Sequence, residues 1–156
     1  MPIAASVHDY LGRHRVPYST VTHSPTHDSA RSAQAAHVSG DRVAKCVLLE
    51  DDNGYVMAIM PASHKLDLHA IRREFNRTFG LATERELIEL FKDCEPGAIP
   101  PLGRAYGIDM VVDRSLADIP DVYFEAGDHS SLIHVSGRDF LKLMADAPRR
   151  HISHHL

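Results

Sequence analysis

Val43-Ala44-Lys45-Cys46-Val47-Leu48-Leu49, Glu50-Asp51-Asp52-Asn53-Gly54 and Tyr55-Val56-Met57-Ala58-Ile59-Met60 form the stretch that decides the fold class. Two apolar runs rich in β-branched residues favour strands, and the Asn-Gly pair between them suits a tight hairpin turn. The apolar character is nearly continuous rather than alternating. Both faces of this strand pair are therefore predicted to be covered, as in the middle of a sheet. One charge interrupts the first run. Burying the Lys45 ammonium is costly without a partner, and alternation puts it on the face opposite Ala44 and Cys46.

Working outward, the N-terminal side opens with Ile3 to His14, where Val7, Tyr10 and Leu11 fall at helical spacing. Val16-Pro17 ends that helix, because a residue before proline disfavours helical backbone. Tyr18 to Thr22 reads as a strand. Ser29 to His37 reads as a short helix capped by Asp28 or Ser29.

On the C-terminal side, Leu66 to Phe75 carries Leu68, Ile71 and Phe75 on one face, with Asp67 as the cap. Thr83 followed by Glu86 marks a capping box for a helix through Phe91. Cys94 to Gly103 holds three prolines and two glycines and must be irregular. Strands follow at Met110–Val112, Val122–Ala126 and Leu132–Val135, the last two joined by a turn at Gly127-Asp128-His129-Ser130. A closing helix runs to Met144, and residues 149–156 read as an irregular, basic, histidine-rich tail. The sum is one mixed α/β domain over residues 1–148, with about six strands and four or five helices.

A length of 156 residues suits a single core. No run approaches the roughly 18 apolar residues of a membrane span, and the N-terminus lacks the pattern of a signal peptide. Two cysteines are too few for a disulfide framework. The expected location is the cytoplasm. A net charge of −4 argues against coating nucleic acid through bulk charge, while leaving room for a local basic face.

Several residues are candidates for chemistry. Lys45 reads either as a cation aimed into a pocket or as a lysine that snorkels to water. In Gly97-Ala98-Ile99-Pro100-Pro101, glycine permits close backbone approach and the prolines stiffen the loop, so free N–H groups there form a candidate oxyanion hole. A rigid connector is the alternative. His129 sits in a tight turn that could present it at a sheet mouth, or is an ordinary turn histidine. Cys46 reads as a small core residue, and Cys94 as a candidate nucleophile. The twelve histidines are a compositional outlier, yet none shows metal-ligand spacing.

In this order and spacing, Thr22-His23-Ser24-Pro25, Val43 to Leu49 with its lysine, Met60-Pro61-Ala62-Ser63-His64, Cys94 to Gly103 and Ala126-Gly127-Asp128-His129 resemble the YbaK/ProX family of aminoacyl-tRNA deacylases. That family is related to the editing domain of bacterial prolyl-tRNA synthetase. The resemblance spans roughly residues 3–146. It implies a curved mixed sheet of six or seven strands with flanking helices. It also implies hydrolysis, in trans and without metal or cofactor, of the ester that joins a wrong small amino acid to tRNA. Alanine or cysteine on the proline tRNA is the implied substrate.

By position, the resemblance makes Lys45 the key lysine, with Gly97 and Ala98 in the catalytic loop. Pro101, Gly127, His129 and Cys46 become substrate contacts. Ser32 and Gln34 stand where relatives often carry acidic residues. The implied partner is the acceptor end of an aminoacyl-tRNA, with a synthetase as a further partner, and neither a membrane nor DNA. Arg72, Arg73 and Arg77 form a basic helix face suited to RNA, with Arg31, Arg42, Arg149 and Arg150 as further candidates. The competing readings are a non-catalytic tRNA- or synthetase-binding module, a histidine-based metal-binding protein, and a thiol hydrolase using Cys94.

Overall fold

The computed structural model describes residues 3–156. The Asn53-Gly54 turn closes the expected hairpin, with Gly54 at φ +125°, where a side chain would be strained. Strands β2 (Val43–Asp51) and β3 (Gly54–Pro61) pair antiparallel from Ala44↔Pro61 to Asp51↔Gly54. Around this pair a mixed sheet is built. It also holds β1 (Ser19–Thr22), β5 (Gly80–Leu81), β6 (Asp109–Asp113), β7 (Asp121–Glu125), β8 (Ser131–Ser136) and β9 (Arg149–Arg150). The order is β1-β8-β7-β2-β3-β6-β9, and β5 joins β2 off this path. A second, two-stranded sheet pairs β4 (His64–Leu66) with β10 (Ser153–His155).

Both faces of the central pair are covered, as its continuous apolar pattern predicts. On one face Ala44, Leu48, Met57 and Ile59 join Phe124 and Phe140 in the main core, under α1 (Ala5–Arg13) and α5 (Gly137–Leu143). On the other, Leu49, Val56, Ala58 and Met60 pack with Phe79, Val111 and Ile71 of α3 (Leu68–Phe75). A third cluster, Val43, Ala62 and Leu132, lies under Ala33 of α2 (Ser29–Ala35). Each large side chain removed from water contributes about 1.5–3 kcal/mol. No helix among the described residues is long and apolar enough to cross a membrane.

The helix starts follow their caps. Asp28 accepts from the Arg31 N–H, Asp67 from the Ala70 N–H and Ser136 from the Asp139 N–H. Thr83 and Glu86 form the full capping box of α4 (Glu84–Leu90). The third helix starts at Leu68 behind its expected Asp67 cap, and only Leu66, grouped with it by the sequence, belongs instead to the strand His64–Leu66.

The tail is a larger departure, since its residues form β9 and β10 rather than irregular chain. The physical reason is Ile152, a fully buried anchor in an otherwise polar run. Its N–H donates to the buried Asp113 carboxylate at 2.9 Å. Histidines then fix the strand: His154 meets Asp67 at 2.7 Å, His155 meets Asp41 at 3.2 Å, and Ser153 Oγ lies 2.8 Å from His64 Nδ1.

Candidate active site

One edge of β2 is shared by two strands. β7 pairs with it only at Val43 and Ala44, and β5 only at Leu49 and Glu50. Lys45 to Val47 are left without a sheet neighbour on that edge. A cavity of about 220 Å³ opens against this gap. Its walls include Ser29 of α2, Cys46, Met57, Phe91, and Gly97 and Ile99 from the proline-rich loop. Leu81, also on the lining, is 61% exposed and makes an apolar lip. The volume lies below the roughly 300–1,000 Å³ of drug-sized pockets, so it suits one small acyl group rather than a nucleotide.

Lys45 is half-buried and stands on the face of β2 opposite Cys46. Nζ donates to the His64 carbonyl at 2.5 Å and the Ala62 carbonyl at 3.4 Å. An ammonium has three donors, so one remains for a ligand. Burial lowers its pKa, and the Asp28 carboxylate opposes that lowering. Cys46 lines the cavity with Sγ 3.4 Å from the Ile99 carbonyl. Burial pushes this thiol up to about 12, helped by the neighbouring Cys94 and Glu125 whenever they ionise, which keeps it neutral.

The loop supplies free donors, though not at both expected positions. Gly97 has φ +85°, and a Cβ there would overlap the His27 carbonyl oxygen and approach the His129 ring at 3.1 Å. Its N–H has no acceptor among the described residues, and neither has that of Ile99. Ala98 differs from expectation: it is fully buried and its N–H donates to the Glu95 carbonyl at 3.1 Å. The turn that exposes Gly97 therefore consumes the Ala98 donor. Pro101 is buried and stiffens the loop without lining the cavity.

His129 is brought to Gly97 by a strained turn, at φ +61°, and its buried Nδ1 has no partner among the described residues. The His27 ring stands edge-on to it, with centroids 6.3 Å apart. Gly127 serves packing instead, since a Cβ there would press on Ala4 Cβ at 3.0 Å and Cys94 Sγ at 3.2 Å. Cys94 also lies off the cavity wall. Burial raises its thiol to about 12, and Tyr106 Oη lies 3.2 Å away, so almost no thiolate is present near neutral pH.

The three arginines of the third-helix region are not brought to the cavity. α3 packs on the opposite face of the sheet through Ile71. Arg77 makes a bidentate pair with Asp51, both bonds 2.6 Å, and stacks on Phe79. Arg72 donates to the Phe79 carbonyl at 2.8 Å, and Arg73 is exposed. On the cavity side, Arg31 rises from the helix that carries Ser29 and lies 3.6 Å from Asp28. Among the described residues no group of three or more His, Cys, Asp or Glu side chains is arranged to hold a metal ion.

Glu125 is the residue that sequence reasoning missed. It ends β7 and is 1% exposed, yet among the described residues neither carboxylate oxygen has a partner within hydrogen-bond distance. Burial raises its pKa to about 7. The nearby Ser32 and Ser29 hydroxyls oppose that rise, and the Asp128 and Asp28 charges add to it. The signal was the same one that drew attention to Lys45: a charge interrupting an apolar strand, here Val122-Tyr123-Phe124-Glu125-Ala126.

Known proteins place this geometry. A proline–tRNA ligase from Bordetella petrii is 29% identical over 125 residues, which cover 74% of this chain and 21% of the ligase. The chain thus spans about a fifth of that relative's length. A solved structure described as a candidate trans-editing enzyme for prolyl-tRNA synthetase superposes with a TM-score of 0.83 at 21% identity, covering 99% of this chain and 98% of the other. A structure from Marinobacter aquaeolei, described as a candidate signal transduction protein, superposes with a TM-score of 0.79 at 24% identity, over 95% of this chain and 30% of that one. These two likenesses establish the shared fold. The model of the aminoacyl-tRNA editing domain matches residues 23–143, most of the chain. The chain belongs to the aminoacyl-tRNA editing domain family.

Proposed function

We propose that this chain hydrolyses, in trans, the ester between a small amino acid and the terminal ribose of a tRNA. Alanine or cysteine on the proline tRNA is the substrate class, and the cytoplasm is the site of action. The observation that carries this reading is the small cavity at the gap in β2, walled by a glycine whose N–H is free.

In the reaction, water adds to the ester carbonyl and a tetrahedral oxyanion forms. The carbon–oxygen bond to the ribose then breaks, and the ribose oxygen takes a proton. The Gly97 N–H, with that of Ile99 beside it, supplies preorganised donors for the oxyanion. Such a donor contributes about 10²–10³ in rate. Lys45 offers its remaining N–H to the substrate carbonyl or the 3′-terminal phosphate. Its ammonium is not assigned as the base: burial lowers its pKa, but the two carbonyls to which it donates favour the charged form. A hydroxyl of the terminal ribose helps to activate the water.

Selection is by size. Phe91, Met57 and Ile99 close a space too small for a bulky side chain, which suits clearance of a small amino acid while a larger cognate one is spared. Arg31, on the helix that carries Ser29, is better placed than Arg72, Arg73 or Arg77 to meet an acceptor end. A synthetase that delivers the mischarged tRNA is the natural further partner.

The test is a deacylation panel of tRNAs charged with alanine, cysteine, serine, threonine and proline. Acceleration on one or two small amino acids, lost in Lys45→Ala, is the expected result. No acceleration on any ester, with tRNA still bound, would replace this reading with a binding module.

A further inference from the structure

We infer that Glu125 receives the α-ammonium group of the aminoacyl ester, so that the site demands a free amino group as well as a small side chain. The inference rests on the deacylase reading above and adds a recognition element to it. Glu125 is almost wholly buried, and among the described residues neither of its oxygens has a partner within hydrogen-bond distance, the Ser29 and Ser32 hydroxyls lying nearby. A buried carboxylate in that state is unfavourable until a cation reaches it.

Among the described residues no cation pairs with either oxygen. Lys45 is next in register, since β2 and β7 run parallel through Val43↔Tyr123 and Ala44↔Phe124. Its ammonium is nonetheless turned to the Ala62 and His64 carbonyls. The groups that do act on Glu125 are the Ser29 and Ser32 hydroxyls, the Asp28 and Asp128 carboxylates and the Cys46 thiol. Hydroxyls and negative charge make a site for a cation, not for an anion.

Position selects which cation. Ser29 and Cys46 both wall the cavity, so Glu125 stands against the wall that those two residues form. An aminoacyl ester carries one cation, and it is attached to the carbon next to the reacting carbonyl. A carbonyl held at the Gly97 N–H therefore keeps the ammonium in the same cavity that Ser29 and Cys46 wall. Charge-assisted hydrogen bonds are the strong ones, and one of them would discriminate between acyl esters that differ only at this group.

The experiment compares alanyl-tRNA with lactyl-tRNA, which keeps the carbon skeleton and replaces the ammonium with a hydroxyl. The protein is expected to favour the alanyl ester in kcat/KM by about 10- to 100-fold, the range for one hydrogen bond to a charged group. Glu125→Gln should shrink that preference by slowing alanyl hydrolysis much more than lactyl hydrolysis. Equal rates on the two esters in the unaltered protein overturn the inference without any variant. So does a Glu125→Gln loss that is the same on both esters, which would mark a structural role. If Glu125→Gln does not fold, Glu125→Asp, with its carboxylate withdrawn by one methylene, should keep part of the preference. Hydrolysis of neither ester nor any other in the panel would refute the deacylase reading itself and this inference with it, an outcome distinct from active but indifferent hydrolysis.

Discussion

Replacing Glu125 by glutamine should stabilise the protein at alkaline pH and leave it nearly unchanged in acid. The folded-state pKa is raised from 4.5 to about 7, chiefly by burial. Below pH 4.5 the carboxyl is protonated in folded and unfolded chains alike, so it carries no charge penalty. As pH rises toward 7 the unfolded chain releases its proton first, and stability falls; above 7 the loss is complete. At roughly 1.4 kcal/mol for each tenfold difference in proton affinity, the full loss is about 3 kcal/mol. Glutamine keeps the shape and never ionises. Urea denaturation of both proteins at pH 5 and pH 8 therefore should show the stability gap widen by about 2–3 kcal/mol in favour of the variant. At pH 8 the melting temperature should rise by roughly 6–12 °C. Taking the difference between the two proteins cancels the other titrating groups. Parallel pH curves would show that Glu125 reaches solvent or a partner, and would remove the basis for reading it as an unpaired buried charge.

Other perturbations separate chemistry from scaffold. Gly97→Ala should lower deacylation by at least about 10², because the left-handed backbone must shift and the oxyanion donor moves with it; single-turnover kinetics on the charged tRNA would show this. Cys94→Ala should keep full activity, since its thiol is raised to about 12; loss of turnover with an intact fold would revive the thiol mechanism. Ile152→Ala should cost about 2–5 kcal/mol by urea denaturation, as expected for a fully buried anchor, whereas a frayed tail would give no change. Asp113→Asn should destabilise the protein at neutral pH. Burial alone would raise that carboxyl, yet the Ser115 and Ile152 donors hold it below its ordinary value. Its contribution is present above about pH 4 and fades as acid protonates it.

The elements with strong local signals were legible in the sequence. The Asn53-Gly54 hairpin, the Thr83/Glu86 capping box and the Asp67 cap are local chemistry, and they sit where their residues place them. The tail was not legible, because one isoleucine among basic and histidine residues gives no period. Its strands exist through partners distant in sequence, β4 and β6. Lys45 and Gly97 stood out as an unusual charge and an unusual loop. What the sequence withheld was direction: that Lys45 turns to backbone carbonyls, and that the Ala98 N–H closes a turn on Glu95. Arg77 looked free because Asp51, its partner, is 26 residues away. Glu125 carried the same warning sign as Lys45 and was overlooked beside it.

The sharing of one β2 edge by β5 and β7 bears on how the chain is made. On the ribosome, β2 and β3 can zip together as soon as they emerge, and β5 follows shortly after. β7 arrives about 80 residues behind β2, roughly 4 to 16 s at typical rates of synthesis. Through that interval the strand that bears Lys45 shows Val43 and Ala44 as an unguarded apolar edge, the kind that pairs with a neighbouring nascent chain. Cotranslational crowding is thus the moment of greatest hazard for this domain, and slow codons between β3 and β7 would lengthen it.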